Sequence, residues 1–386
     1  MDTFIHSRAA AEQYLESTGG ITPALIFNPK SITKAWRQLQ SALPGVALYY
    51  AVKSNPYDSI LNVLNAEGAQ FDCASAPEIE ALLKLGVSVD RIIHTHPIKT
   101  TNDLQLSYDL GVRTFVVDNA DELWKLVPFR RDVKIMLRLA FVAPDAPIDL
   151  SRKFGAQPDD AMELLSVAKH MGLDVDGLCF HVGSQAASAN THALALRRCF
   201  DLAEEAREKS IANITRVDMG GGFPANYANQ PVDFRKFCAP INDVIQSRPA
   251  HIQLMAEPGR AISAPSMSLV SRVIGRSKRQ DNVMWYYLDD GVYGAQSGRI
   301  YDHIDYPMHI FTDVSETGAG VFAGPTCDSI DYLGSRTGVP LLSIGDVIVI
   351  KEIGAYSVAT ACHFNGIKPP MIIDLDEGHE LSRMLA

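Results

Sequence analysis

The chain has 386 residues, of which 47% are hydrophobic and 21% charged, with a formal net charge of −10. That balance excludes an intrinsically disordered chain, and the acidic charge argues against a nucleic-acid partner, which needs a basic face for phosphate. The length suits a barrel of about 250 residues with a second, smaller domain.

The first stretch, from Met1 to Thr22, is polar and carries Asp2, Glu12 and Glu16, so no signal peptide is expected. Short apolar runs rich in branched and aromatic residues then recur near 46–52, 69–72, 91–94, 114–117, 134–139, 175–180, 215–219 and 252–256. Segments with helical spacing lie between them, at 58–67, 76–85, 102–110, 158–171, 192–209 and 233–247. Between Asp159 and Met171, for example, Ala161, Met162, Leu164, Leu165, Val167 and Ala168 form one stripe. Eight strands alternating with helices predict a parallel sheet, and eight is the number that closes a barrel. An open doubly wound sheet is the alternative.

After about residue 263 the pattern changes: Leu269–Ile274, Val283–Leu288 and Val347–Ile350 read as strands, with Gly and Pro turns between. The reading is therefore a (β/α)8 barrel over 25–262, with 1–24 and 263–386 forming a β-rich domain. Six widely spaced cysteines without a C-x-x-C pair fit a reduced, cytoplasmic protein better than a disulfide or zinc framework, so no metal is expected. No apolar run approaches the roughly 20 residues of a membrane helix.

The chemistry-bearing residues fall just past the predicted strands. Lys53 ends Tyr50-Ala-Val-Lys53, Asp72 ends Gln70-Phe-Asp72, and His181 opens His-Val-Gly-Ser184. Gly220, Gly221 and Gly222 follow Val217-Asp-Met219, and Glu257-Pro-Gly-Arg260 follows Ile252 to Ala256. In a parallel barrel these ends meet on one rim, where such folds build their sites. Each residue also has an ordinary reading: Lys53 as a solvated surface charge, the glycines as a flexible turn, Glu257 as a turn cap, His181 as a satisfied core histidine. The alternative readings are chemical. A Lys53 desolvated by Tyr50 to Val52 and Pro56 would suit Schiff-base formation, and bare N–H groups of the glycines would suit a phosphate. Glu257 could hold a ring nitrogen protonated while Arg260 pairs with the phosphate.

With these motifs in order, the sequence resembles the fold-type III, alanine racemase-like pyridoxal-phosphate decarboxylases, in their ornithine/lysine branch. The resemblance runs from about Ala24 to Ile367 and includes Gly324-Pro-Thr-Cys-Asp328 and Gly354-Ala-Tyr356. It implies pyridoxal 5'-phosphate as cofactor, with Lys53 forming the Schiff base, Glu257 pairing with the pyridine nitrogen, His181 stacking on the ring and Asp72 lying near the lysine. It implies phosphate contacts from Ser184, Gly221, Gly222, Arg260 and Tyr356. It further implies a head-to-tail homodimer in which the opposite protomer supplies Cys327 as proton donor and Asp328 for the distal amine of the substrate. Asp302, with Asp305 as its nearest competitor, matches a second carboxylate for that amine; Tyr293 and Phe364 belong to the same pocket.

The resemblance thus implies decarboxylation of a basic L-amino acid, L-ornithine to putrescine or L-lysine to cadaverine. Two carboxylates suit an ammonium group and would repel the distal carboxylate of meso-diaminopimelate. Rival substrates are carboxynorspermidine, diaminopimelate or an amino-acid conjugate, while chain length is read as arguing against the larger arginine enzymes. A non-catalytic, decarboxylase-like regulator is the rival of another class. Against it stands the presence of Lys53, Glu257, Arg260, Cys327 and Asp328 together. One departure from the family is His94-Thr-His-Pro97, where an Asn-containing stretch is usual.

Overall fold

The structure, a computed structural model, describes residues 15–16, 19–142, 151–227, 231–279, 282–312 and 314–374. Its chain divides into two compact units: Thr33–Pro224 with Val232–Ile262, and Met1–Ile32 with Ala225–Pro231 and Ser263–Ala386.

In chain order the described elements begin with β1 (Ala24–Phe27) and α1 (Pro29–Ala42). The barrel follows as β2 (Val46–Ala51), α2 (Asp58–Ala66), β3 (Gln70–Cys73), α3 (Ala76–Lys84), β4 (Ile92–His94), α4 (Thr101–Asp109), β5 (Thr114–Val117) and α5 (Ala120–Leu126). It continues through β6 (Lys134–Leu139), α6 (Ala161–His170), β7 (Val175–Phe180), α7 (Asn190–Glu208), β8 (Arg216–Asp218), α8 (Phe234–Ile245) and β9 (Gln253–Ala256). Strands β2 to β9 pair in parallel and close on themselves, with β2 hydrogen-bonded to both β3 and β9. The closed barrel was one of the two arrangements the alternating pattern allowed; the open sheet is excluded.

Local chemistry sets the helix starts. Thr100, Asn119 and Asp233 each accept a hydrogen bond from a backbone amide of the first turn of α4, α5 and α8. Most positions of the strands are apolar, as expected of a parallel sheet wrapped by helices, with Asp72, Arg138, Arg216 and Asp218 among the charged exceptions. Inside the barrel, Tyr49, Ile93, Val116, Met136, Cys179 and Met255 pack together, one from each of six strands. Filling the interior in this way makes the barrel a packed core and leaves its rim for chemistry.

The second unit contains α9 in part (Arg260–Ser263), β10 (Met267–Lys278), β11 (Met284–Leu288), α10 (Gly298–Tyr301), β12 (Met308–Phe311), β13 (Thr317–Ala323), β14 (Tyr332–Pro340), β15 (Val347–Ile350) and β16 (Met371–Asp374). Six of these strands run in the order β12-β15-β10-β11-β13-β14, and β1 joins β10 and β16. The long β10 makes this possible. Its first half lies between β1 and β15, and beyond an irregularity at Val273/Gly275 its second half pairs with β11. Ala24, Ile26, Val270, Phe311, Val347 and Val349 form the apolar core beneath.

One boundary differs from the sequence reading, which began the barrel at residue 25. Strand β1 pairs antiparallel with β10 and parallel with β16, so its hydrogen bonds commit it to the β unit. A four-residue apolar run carries no sign of which sheet it will join, which is why the sequence misplaced it. Of residues 1–24, only 15–16 and 19–24 lie among the described residues.

Candidate active site

Five segments meet at the carboxy-terminal rim of the barrel. Lys53 sits in a single 3-10 turn, Val52–Ser54, directly after β2. Ser54 Oγ donates to Tyr50 Oη at 3.0 Å, and Tyr50 Oη donates to the Asn55 carbonyl at 3.0 Å, so the turn is tied back to its own strand. The Lys53 ammonium lies 2.6 Å from Asp72 Oδ2. The other oxygen of Asp72 accepts the hydroxyl of Thr95. Asp72 is fully buried, whereas the Lys53 side chain is 37% exposed. Val52 is buried, and the half-buried Lys53 side chain reaches a fully buried carboxylate.

The glycine run explains its own composition. Gly220 has φ +66, and a Cβ there would fall 2.2 Å from the Phe180 carbonyl oxygen. Gly222 has φ +98, with the Gly183 carbonyl oxygen 2.7 Å from where a Cβ would be. Only glycine tolerates both the conformation and the approach. At Gly221 a Cβ would meet His181 Nε2 and the Glu257 carbonyl oxygen, each at 2.9 Å. The loop after β8 is thus pressed between those after β7 and β9. Gly259 in the Glu-Pro-Gly-Arg motif has a similar reason, since its Cβ would lie 2.9 Å from Ser54 Cβ.

His181 accepts the Gly183 amide at Nδ1 (3.0 Å), which places the proton of the neutral ring on Nε2. Burial, with the Arg138 and Lys53 charges next in weight, holds it well below the usual histidine range, so the ring is neutral. Arg260, only 6% exposed, donates through Nε and Nη2 to Ser184 Oγ at 3.2 and 3.1 Å. Glu257 is pushed well above the carboxylate range by burial and by the nearby charges of Asp72 and Asp218, with Lys53 and Arg138 opposing. Asp218 is raised to about 7, chiefly by burial.

The second unit holds another group of expected residues. Tyr293 donates to Asp328 Oδ2 at 2.5 Å and stacks on Phe364, with ring centroids 4.2 Å apart. The Ile330 amide donates to Asp328 Oδ1 at 3.1 Å. These bonds hold the half-buried Asp328 below the usual carboxylate range. Cys327 is exposed, and its amide donates to Asn365 Oδ1 at 3.1 Å. Asp302 caps the short α10. Its competitor Asp305 is ion-paired with both Arg299 and Arg336, which removes it as a free acceptor for an ammonium group. Tyr356 follows Gly354, where a Cβ would fall 2.0 Å from the Ser263 carbonyl oxygen.

Four residues of the rim escaped the sequence reading: Thr95, Arg138, Glu78 and Asp218. Arg138, a charge inside the apolar run Met136-Leu-Arg-Leu139, was the clearest available signal. Thr95 lies within the stretch that departs from the family pattern. Among the described residues no cluster of His, Cys, Asp or Glu could hold a metal ion.

The rim has an amine for a carbonyl, a guanidinium with a serine hydroxyl and close-packed glycine backbone for a phosphate, and a carboxyl, pushed well above its usual range, for a ring nitrogen. Pyridoxal phosphate has those three parts, and the residues fit it. The class so defined is the barrel enzymes that use this cofactor. The chain belongs to the pyridoxal-dependent decarboxylases: the family model for their pyridoxal-binding domain matches residues 29–264. It is a pyridoxal-phosphate-dependent decarboxylase.

Among the relatives, the lysine/ornithine decarboxylase of Selenomonas ruminantium is 36% identical over 368 residues, covering 94% of this chain and 92% of that protein. The crystal structure of lysine/ornithine decarboxylase complexed with putrescine from Vibrio vulnificus superimposes with a TM-score of 0.89 at 38% identity, covering 96% of this chain and 98% of that one. The arginine decarboxylase of Paramecium bursaria Chlorella virus gives 0.90 at 29% identity, covering 95% of this chain and 100% of that one. This last match overturns the argument from length, because an arginine decarboxylase of matching size exists.

Proposed function

We propose that the protein removes the α-carboxyl group of L-ornithine or L-lysine, releasing carbon dioxide and putrescine or cadaverine. The observation that carries the substrate class is Asp328, a half-buried carboxylate held by Tyr293 and the Ile330 amide. Asp302 is the second carboxylate of the proposed pocket. An ammonium group on the far end of the substrate satisfies such a site, and a distal carboxylate would be repelled. The names of the Selenomonas and Vibrio relatives, and the putrescine bound by the latter, agree with this reading, whereas the viral relative is named for arginine.

Lys53, Asp72, His181 and Glu257 would hold the ring of the cofactor, and Ser184, Gly221, Gly222, Arg260 and Tyr356 its phosphate. Bound pyridoxal phosphate supplies a sink for the electron pair left when carbon dioxide departs. Glu257 keeps a proton at the ring nitrogen. His181, neutral, offers a flat face without adding charge. Asp328 and Asp302 orient the substrate from its far end, so that binding is spent away from the departing carboxylate. Cys327 then delivers a proton to the α-carbon.

Cys327 and Asp328 act, in this reading, on the barrel site of the opposite protomer of a homodimer. Full activity in a species that sediments as a monomer would remove that part of the reading. A cytoplasmic location is proposed as well, supported by six cysteines that are all free.

The deciding experiment is carbon dioxide release from L-ornithine, L-lysine, L-arginine and meso-diaminopimelate by the yellow, cofactor-loaded protein. Turnover of either of the first two supports the proposal and selects the substrate. Preference for arginine, or turnover of none of the four, overturns it.

A further inference from the structure

We propose that Thr95 is a positioning residue of this enzyme: its hydroxyl holds one oxygen of Asp72 and so aims the other at the amine of Lys53. Asp72 is fully buried on β3, where its carboxylate needs a donor at each oxygen. Lys53 Nζ occupies Oδ2 at 2.6 Å, and Thr95 Oγ1 donates to Oδ1. With both oxygens engaged, the carboxylate has one orientation.

Thr95 is itself fixed. It lies one residue past β4, is 6% exposed, and its amide donates to the Cys73 carbonyl at 3.0 Å, continuing the β3–β4 ladder. The loop beyond it is clamped from below by Lys99, whose buried ammonium donates to the carbonyls of His96, Pro97 and Val116 at 2.9, 3.2 and 2.6 Å. Glu122 lies 3.8 Å from that ammonium and is shared with Lys125 at 2.5 Å. The chain of contacts is thus Lys99 to the loop, the loop to Thr95, Thr95 to Asp72, and Asp72 to Lys53. The charge of Asp72 is felt by Glu78 from α3, His94 on β4, Asp218 at the end of β8 and Glu257 after β9. A carboxylate that turned away from Lys53 would change the field at each of them.

Valine has the same shape as threonine without the hydroxyl, and serine keeps the hydroxyl without the methyl group, which makes Thr95→Val and Thr95→Ser a matched pair. The proposal rests on the decarboxylase reading for its activity measurement alone. Its second measurement, the pH titration of the visible absorbance band of the loaded protein, needs no substrate.

In Thr95→Val, kcat falls about tenfold or more, as for a lost hydrogen bond to a charged group, while KM moves less than about threefold. The midpoint of the band titration shifts by about half a pH unit or more, and Thr95→Ser restores both to near the parent values. Loss of cofactor from the valine variant, with retention in the serine variant, supports the same conclusion. An unshifted band titration in Thr95→Val overturns the proposal, as does a serine variant that fails along with the valine one. If the parent protein decarboxylates nothing, the band titration still decides the role of Thr95.

Discussion

At the scale of single residues, the rim is a set of charges that burial has placed under strain and that opposite charges only partly relieve. Lys53 and Asp72 satisfy one another at 2.6 Å, whereas Glu257 and Asp218 sit close to like charges and are pushed upward. Cys327 contrasts with these residues. It is exposed, while four of the six cysteines are buried. Burial drives the thiols of Cys73, Cys179, Cys199 and Cys238 upward and makes them inert. Only an accessible thiol can deliver a proton to a carbon atom. Cys327→Ala is therefore expected to slow decarboxylation about 10²-fold, within the range for loss of an acid catalyst, and to yield some aldehyde in place of diamine. Product analysis by mass spectrometry checks this, and an unchanged rate and product ratio would remove Cys327 from the reaction.

At the scale of elements, the glycine loop after β8 shows how chain conformation prepares a site. Gly222→Ala combines an unfavourable φ of +98 with a Cβ 2.7 Å from the Gly183 carbonyl oxygen. The loop must move to accommodate it, carrying the backbone amides away from Ser184 and Arg260. The expected result is a soluble protein with less than about a tenth of the parent's bound cofactor at equal concentration, read from its absorbance. Full cofactor occupancy would mean that this backbone does not form the phosphate cradle. The barrel strands were legible because eight apolar runs, each between helical segments, can close in only a few ways; the predicted 175–180 and 134–139 coincide with β7 and β6. The short helix α5 was missed, its seven residues being too few to show a period. In the β unit, β13 and β14 carry two glycines each and are exposed over part of their length, so neither long hydrophobic runs nor strict alternation marks them. Motifs at strand ends were legible for a related reason: a reactive residue following a strand has one place to be. Thr95 was not, since a hydroxyl shows its purpose only when the carboxylate it holds is seen.

At the scale of the whole molecule, stability against pH is a balance between two sets of buried groups. Glu78, Asp218 and Asp290 are each raised to about 7, in every case chiefly by burial. Their folded forms keep protons that the unfolded chain releases near pH 4, so their contribution is fully present at low pH and is lost as pH rises through about 7. His94 works in the opposite sense. Burial lowers it to about 4, so the unfolded chain gains a proton near pH 6.5 that the folded protein refuses, and stability is lost as pH falls through that window. The two sets partly cancel between about pH 4 and 6.5, while above 6.5 only the acids remain. Asp290 separates them experimentally. It is 3% exposed and accepts the Ala295 amide at 3.1 and 3.3 Å, a contact that asparagine can keep without ever taking a charge. Urea midpoints of the parent protein should therefore fall between pH 6.5 and 7.5, and those of Asp290→Asn should fall by less. A variant whose midpoint falls as steeply as the parent's would show that Asp290 does not take up a proton on folding.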